Sequence, residues 1–286
     1  MILILSLNSS FMGNGKSKTK HNNNTNYKFF SDKFRTYEDL QKALRDAGLE
    51  SSQLIVGIDF TKSNTWQGGL PYYEKDCLHS AAPFPNPYQR VLSIMCKTLE
   101  PFDDDHLIPA YGFGDSHTID KSVFPFLMRN DNGYVSDLPC VGLDGVFQAY
   151  SKIIHDIATG TIQMSGPTSF APIIRKAIEL VKLTNSYHIL LIIADGTVDR
   201  KDDTIQAIIE ASKYPLSIIC VGVGKGPFDV MREFDDNIPK RDFDNFQFID
   251  FYEVMTRAEN QEIEFAKNAL MEIPDQYKYI KNHLLR

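Results

Sequence analysis

A chain of 286 residues with 43% hydrophobic and 23% charged side chains can bury a sizeable core without staples. Its formal net charge of −7 excludes the basic footprint of general nucleic-acid binding, yet is too modest for an acidic disordered protein. The four cysteines, Cys77, Cys96, Cys140 and Cys220, form no C-x-x-C pair, which leaves no zinc knuckle or RING to build and points to buried thiols in a reducing compartment.

Residues 1–26 are rich in Ser, Asn, Gly and Lys and read as a disordered tail. The apolar start at residues 1–7 lacks the basic flank of a signal peptide, and no apolar run approaches the ~20 residues that span a bilayer. The expectation is therefore a cytoplasmic protein. Thr36 followed by Asp39 marks a helix start, with Leu40, Ala43 and Leu44 on one face and Gly48 as the stop.

From there apolar runs alternate with amphipathic segments. Residues 54–60 (LIVGIDF) read as a buried strand, and Asn86-Pro87 opens a helix carrying Tyr88, Val91, Leu92 and Met95. Residues 107–113 form the next strand, 143–157 and 170–181 two helices, and 189–194 (ILLIIA) another strand. A helix over 203–213, strands over 216–223 and 246–251, and a closing helix over 253–271 complete the series. This alternation predicts one α/β domain over 27–280, doubly wound, with a mainly parallel sheet and helices on both faces; residues 281–286 are left as a tail.

In such sheets ligands bind beyond the carboxyl ends of the strands. The first strand ends in Asp59-Phe60-Thr61-Lys62-Ser63, which puts three oxygen side chains at alternate positions, on one face of extended backbone. A carboxylate with two hydroxyls offers no soft donor and suits a hard ion, Mg2+ or Mn2+. Thr168, in a tight loop before a helix, and Asp195, which ends the 189–194 strand ahead of Gly196, add two oxygen donors.

The pattern D-x-T-x-S, a distant Thr and a strand-end Asp-Gly resembles the metal-ion-dependent adhesion site (MIDAS) of von Willebrand factor A domains. Residues 59–64 (DFTKSN), 86–88 (NPY), 107–115 (LIPAYGFGD), 165–172 (SGPTSFAP), 214–224 (YPLSIICVGVG) and 234–239 (FDDNIP) look like the copine-type A domain, closest to that of plant membrane-associated RING-type ubiquitin ligases. The resemblance implies metal ligands at Asp59, Thr61, Ser63, Thr168 and Asp195, and a coordination position completed by an Asp or Glu of a protein partner. It also suggests an adaptor in ubiquitin ligation, expected to act without a RING because no cysteine follows Cys220. Separately from the resemblance, the oxygen site admits a metal-dependent phosphohydrolase, which ranks last because the sequence offers no general base or second cluster of metal ligands.

The remaining motifs are lesser. Residues 13–17 (GNGKS) lack the first glycine of a phosphate loop, whereas residues 12–17 (MGNGKS) fit the N-myristoylation pattern. Gly13 becomes the acyl acceptor only if translation starts at Met12, in which case Lys16, Lys18 and Lys20 would support peripheral membrane contact. The acidic run Asp103-Asp104-Asp105 reads as a solvated turn, and the seven histidines form no metal-binding pair.

Overall fold

The computed structural model describes residues 34–66, 77–82, 84–131, 134–196, 198–238 and 240–285. The tail over 1–26 and Gly13 lie outside the described residues. In chain order the elements are α1 Tyr37–Asp46, β1 Gln53–Asp59, α2 Pro87–Leu99, β2 Leu107–Ile108, β3 Ala110–Phe113, β4 Phe124–Pro125, β5 Leu127–Asp131, β6 Tyr134–Leu138 and β7 Cys140–Val141. There follow α3 Gly142–Ala158, α4 Ala171–Thr184, β8 His188–Ala194, α5 Lys201–Ala211, β9 Leu216–Gly222, α6 Asp229–Asp236, β10 Phe246–Asp250, α7 Phe251–Arg257, α8 Gln261–Leu270 and α9 Ile273–His283.

The main sheet has the order β10-β9-β8-β1-β3-β4, and every pairing is parallel except that of β3 with the edge strand β4. Alternation along the strands feeds two cores. Leu54, Val56, Ile58, Ile189, Leu191 and Ile193 pack with α1, α2, α3 and α7–α9, while Ile55, Leu190, Ile192 and Ile218 pack with α4, α5 and α6. The doubly wound fold expected from the sequence is therefore present. Gly57 faces α4 so closely that a Cβ there would lie 2.7 Å from Ile173 Cγ1.

Local chemistry sets the helix starts. Thr36 and Asp39 form a reciprocal capping box at α1, and Asn86 with Gln89 forms another at α2, where Pro87 begins the helix. Three expectations needed correction. The strand over 107–113 divides at Pro109, which has no N–H to donate; β2 pairs antiparallel with β7 while β3 joins the main sheet. The closing helix expected over 253–271 is two helices, α7 and α8, broken where Ala258 is extended, and a further helix, α9, follows with Pro274 in its first turn. The amide of Asn260, just before α8, donates to Arg35 O at 2.8 Å. Finally, α9 continues to His283, three residues into the segment expected to be a tail.

The helix after β1 lies on one face and the helix after β8 on the other, so these adjacent strands meet at the switch point of the topology. Asp59 and Asp195 sit at their carboxyl ends.

Candidate metal centre

Beyond Asp59 the chain leaves β1 and tightens into a 3-10 turn over Lys62–Trp66. The turn draws the oxygen side chains together. Thr61 N donates to Asp59 Oδ1 at 2.8 Å, Thr61 Oγ1 and Ser63 Oγ lie 2.9 Å apart, and Ser63 Oγ donates to Asp195 Oδ1 at 3.0 Å. The residues Asp59, Thr61, Ser63 and Asp195 thus form one continuous polar chain across the ends of β1 and β8. Asp59, Thr61 and Asp195 are buried, and Ser63 is half-buried next to the exposed Lys62.

Thr168 arrives by a longer route. Its loop is bound to the β1 end through Lys62 N, which donates to Ser165 O at 2.6 Å, and to the β3 end through Ser165 N, which donates to Gly114 O at 3.0 Å. On the other side Thr168 N donates to Asp199 Oδ2 at 2.7 Å, and Asp199 N returns a bond to Thr168 O at 2.9 Å. Thr168 is therefore buried between the loops that follow β1 and β8, although its hydroxyl is not part of the hydrogen-bonded chain of the other four. Asp115, at the end of β3, closes its own turn by accepting from Thr118 N at 2.9 Å and from the Thr118 hydroxyl.

Two glycines allow these loops to approach. Gly114 has φ +84°, and a Cβ there would lie 2.3 Å from Thr61 Cγ2. At Gly224, beyond β9, a Cβ would fall 1.6 Å from the Asp195 carbonyl oxygen.

The electrostatics are unbalanced in a specific way. Burial pushes the Asp59 carboxyl well above the usual carboxylate range, and the nearby Asp195 carboxylate pushes it further. Among the described residues Asp59 Oδ2 is buried with no hydrogen-bond partner, and Asp59 forms no ion pair. An orphaned carboxylate oxygen beside a second carboxylate and two hydroxyls is a donor set that fits a hard divalent cation. Among the described residues no group of three or more His, Cys, Asp or Glu side chains is placed to hold a metal ion by itself, so a cation here would depend on hydroxyl donors.

The layer beneath the site was not visible from the sequence. Asn64 donates to Thr61 O at 3.1 Å and accepts from Tyr88 Oη at 2.7 Å, linking the turn to α2. His79 is buried between the rings of Phe60 and Tyr88, at centroid distances of 4.5 and 4.2 Å, and burial lowers its pKa to about 3. The 86–88 motif offered a signal, since it supplies both the Asn86 cap and Tyr88. Nothing in the spacing of His79 or Asn64 did so.

Comparison with known proteins adds a lineage to this geometry. The copine family model matches residues 77–285. Copine family protein 2 of Caenorhabditis elegans is 52% identical over 249 residues, 87% of this chain and 3% of that protein. E3 ubiquitin-protein ligase RGLG5 of Arabidopsis thaliana is 48% identical over 281 residues, 93% of this chain and 62% of that protein. The chain thus spans less than two thirds of either relative. Among solved structures, the manganese-loaded Plasmodium vivax TRAP protein aligns with a TM-score of 0.42 and 10% identity, over 71% of this chain and 70% of that one.

Proposed function

For a chain that belongs to the copine family, we propose a protein-binding module that captures its partner through a divalent cation held by Asp59, Thr61, Ser63, Thr168 and Asp195. The observation that carries this reading is Asp59 Oδ2, buried without a hydrogen-bond partner among the described residues and beside a second carboxylate. A folded protein rarely leaves such an oxygen unsatisfied, because the desolvation penalty is about 1–3 kcal/mol or more for a charged group.

Each residue then has a task. Asp59 and Asp195 supply negative charge at the switch point, either directly or through water. Thr61 and Ser63 present neutral oxygens that fill coordination positions without overcharging the site. Thr168 closes it from the α4 side. Bound Mg2+ or Mn2+ would supply a Lewis-acidic position open to a carboxylate oxygen, the chemistry that selects a partner presenting Asp or Glu. No residue is assigned a catalytic role.

Thermal melting with and without metal tests the reading. An ion that binds only the folded state at about 100 times its Kd adds roughly 2.7 kcal/mol, or about 5–10 °C in Tm for a domain of this size. Asp195→Ala should abolish the shift. An unchanged melt in both Mg2+ and Mn2+ rejects the metal site, and partner capture that persists in EDTA rejects its role in adhesion.

A second reading rests on the 48% identity to an E3 ubiquitin-protein ligase: an adaptor in ubiquitin ligation that uses the same face to hold a substrate. The purified chain would then bring substrate to a ligase without discharging ubiquitin from a conjugating enzyme. Discharge by the chain alone would contradict the adaptor role. No helix among the described residues is long and apolar enough to cross a membrane. Peripheral membrane contact through an acylated Gly13 is a separate proposal, tested by mass spectrometry of the native N-terminus. An unmodified Gly13 refutes it.

A further inference from the structure

Three side chains outside the proposed ligand set gather at a backbone atom of one ligand. The Asp59 carbonyl oxygen accepts from His79 Nε2 at 2.8 Å and from Asn64 Nδ2 at 3.3 Å, and Tyr88 Oη lies 3.3 Å away with its one proton given to Asn64 Oδ1 at 2.7 Å. A carbonyl has two lone pairs, so two donors from two segments fill its capacity and hold this peptide group more tightly than a strand end requires. His79 gives the shortest of these bonds, and its far side is fixed as well. His79 Nδ1 lies 2.7 Å from Tyr150 Oη on α3, and Asn86 Nδ2 donates to that hydroxyl at 3.3 Å.

The proton positions follow from the partners. A carbonyl can only accept, so Nε2 carries the hydrogen; in the neutral ring Nδ1 is then the acceptor and takes the Tyr150 hydroxyl proton. Asn86 satisfies the hydroxyl oxygen in turn, giving a chain directed from Asn86 to Tyr150 to His79 to Asp59 O. Stacking between Phe60 and Tyr88 fixes the ring plane. If the ring adopted the other tautomer, a lone pair would face the carbonyl, and the peptide group that aims the Asp59 side chain would be pushed away.

We infer that His79, fixed in its Nε2–H tautomer by Tyr150, is a positioning residue that sets the Asp59 backbone and so links α2 and α3 to cation affinity. The inference rests on the metal reading above. It differs from it in requiring that a residue distant from the cation control affinity through hydrogen-bond direction alone.

The test compares wild type, Tyr150→Phe, His79→Gln and His79→Leu by Mn2+ titration calorimetry at a temperature where each is folded in EDTA. Histidine 15N shifts are recorded on the metal-free proteins. Tyr150→Phe keeps the ring packing but removes the tautomer lock. It should mix the two His79 tautomers and weaken Mn2+ binding about 10-fold, at the lower end of the effect of disturbing a ligand's support. His79→Leu should lose at least as much, while His79→Gln, which retains an N–H for Asp59 O, should recover most of it. Unchanged Mn2+ affinity in Tyr150→Phe and His79→Leu, with only Tm lowered, would overturn the inference and leave His79 a packing residue. A wild-type ring protonated on Nδ1 would overturn it independently. Absence of Mn2+ binding in wild type removes the metal reading itself, an outcome distinguishable from equal affinities across the series.

Discussion

Replacing Asp59 by Asn should separate the two energies that meet at this carboxylate. The change keeps Oδ1 as the acceptor for Thr61 N and removes a buried ionisable carboxyl beside Asp195. The orphaned Oδ2 becomes an amide nitrogen able to donate toward Asp195. Relief of one unsatisfied buried group contributes about 1–3 kcal/mol, so Asp59→Asn should melt several degrees above wild type in EDTA at pH 7. Saturating Mn2+ should reverse the order, because wild type gains roughly 2.7 kcal/mol at about 100 times Kd and the variant gains little. The pH dependence has a fixed sign. The folded pKa of Asp59 lies above its ordinary value, so its contribution to stability is fully present below about pH 3.8 and is lost as pH rises through the folded pKa. In EDTA the wild-type stability advantage at acid pH should therefore be smaller in the variant. Calorimetric melts in EDTA and in Mn2+ read all three effects. A variant that melts below wild type in EDTA would refute the reasoning, because Asp59 would then be a structural acceptor rather than a carboxylate held for a cation.

Other substitutions probe the surroundings. Gly224→Ala forces a Cβ against the Asp195 carbonyl and should cost about 2–3 kcal/mol while weakening Mn2+ binding; a variant with wild-type Tm and affinity would show that the β8 and β9 loops do not pack this closely. Tyr88→Phe deletes the hydroxyl that donates to Asn64 Oδ1 and should cost about 1 kcal/mol in Tm measurements, the net value of one hydrogen bond. Glu272 is raised to about 8 by burial and by Asp244 and Asp235, against the opposing Arg241, so its contribution is lost as pH climbs from about 4.5 through 8. Glu272→Gln should flatten the fall in Tm between pH 5 and 8.5, and an unaltered slope would remove Glu272 as its source.

The sheet was readable because parallel strands covered on both faces are continuous apolar runs, as in His188–Ala194 and Leu216–Gly222. The hairpin of β5 and β6 lacks such a run, and the helix α6, at 8 residues, is too short to show a clear helical period. Continuous helical periodicity over 253–271 concealed the break beside Asn260, whose bond to Arg35 joins residues 225 positions apart. The site followed the same division. Asp59, Thr61 and Ser63 are legible because strand period and sequence spacing coincide, whereas Asp195 required the topology. His79 and Asn64 act through backbone carbonyls, a role that leaves no spacing in the sequence.

Mn2+ titration of wild type beside Asp195→Ala is the most direct test of the central claim. Asp195 can be removed without altering β1, but its loss takes away the acceptor of Ser63 and half the charge at the switch point. Wild type should bind a single Mn2+ per chain, in competition with Mg2+, and the variant should bind none in the same range while remaining folded. Equal binding by both proteins, or binding by neither, would contradict a cation site at the ends of β1 and β8.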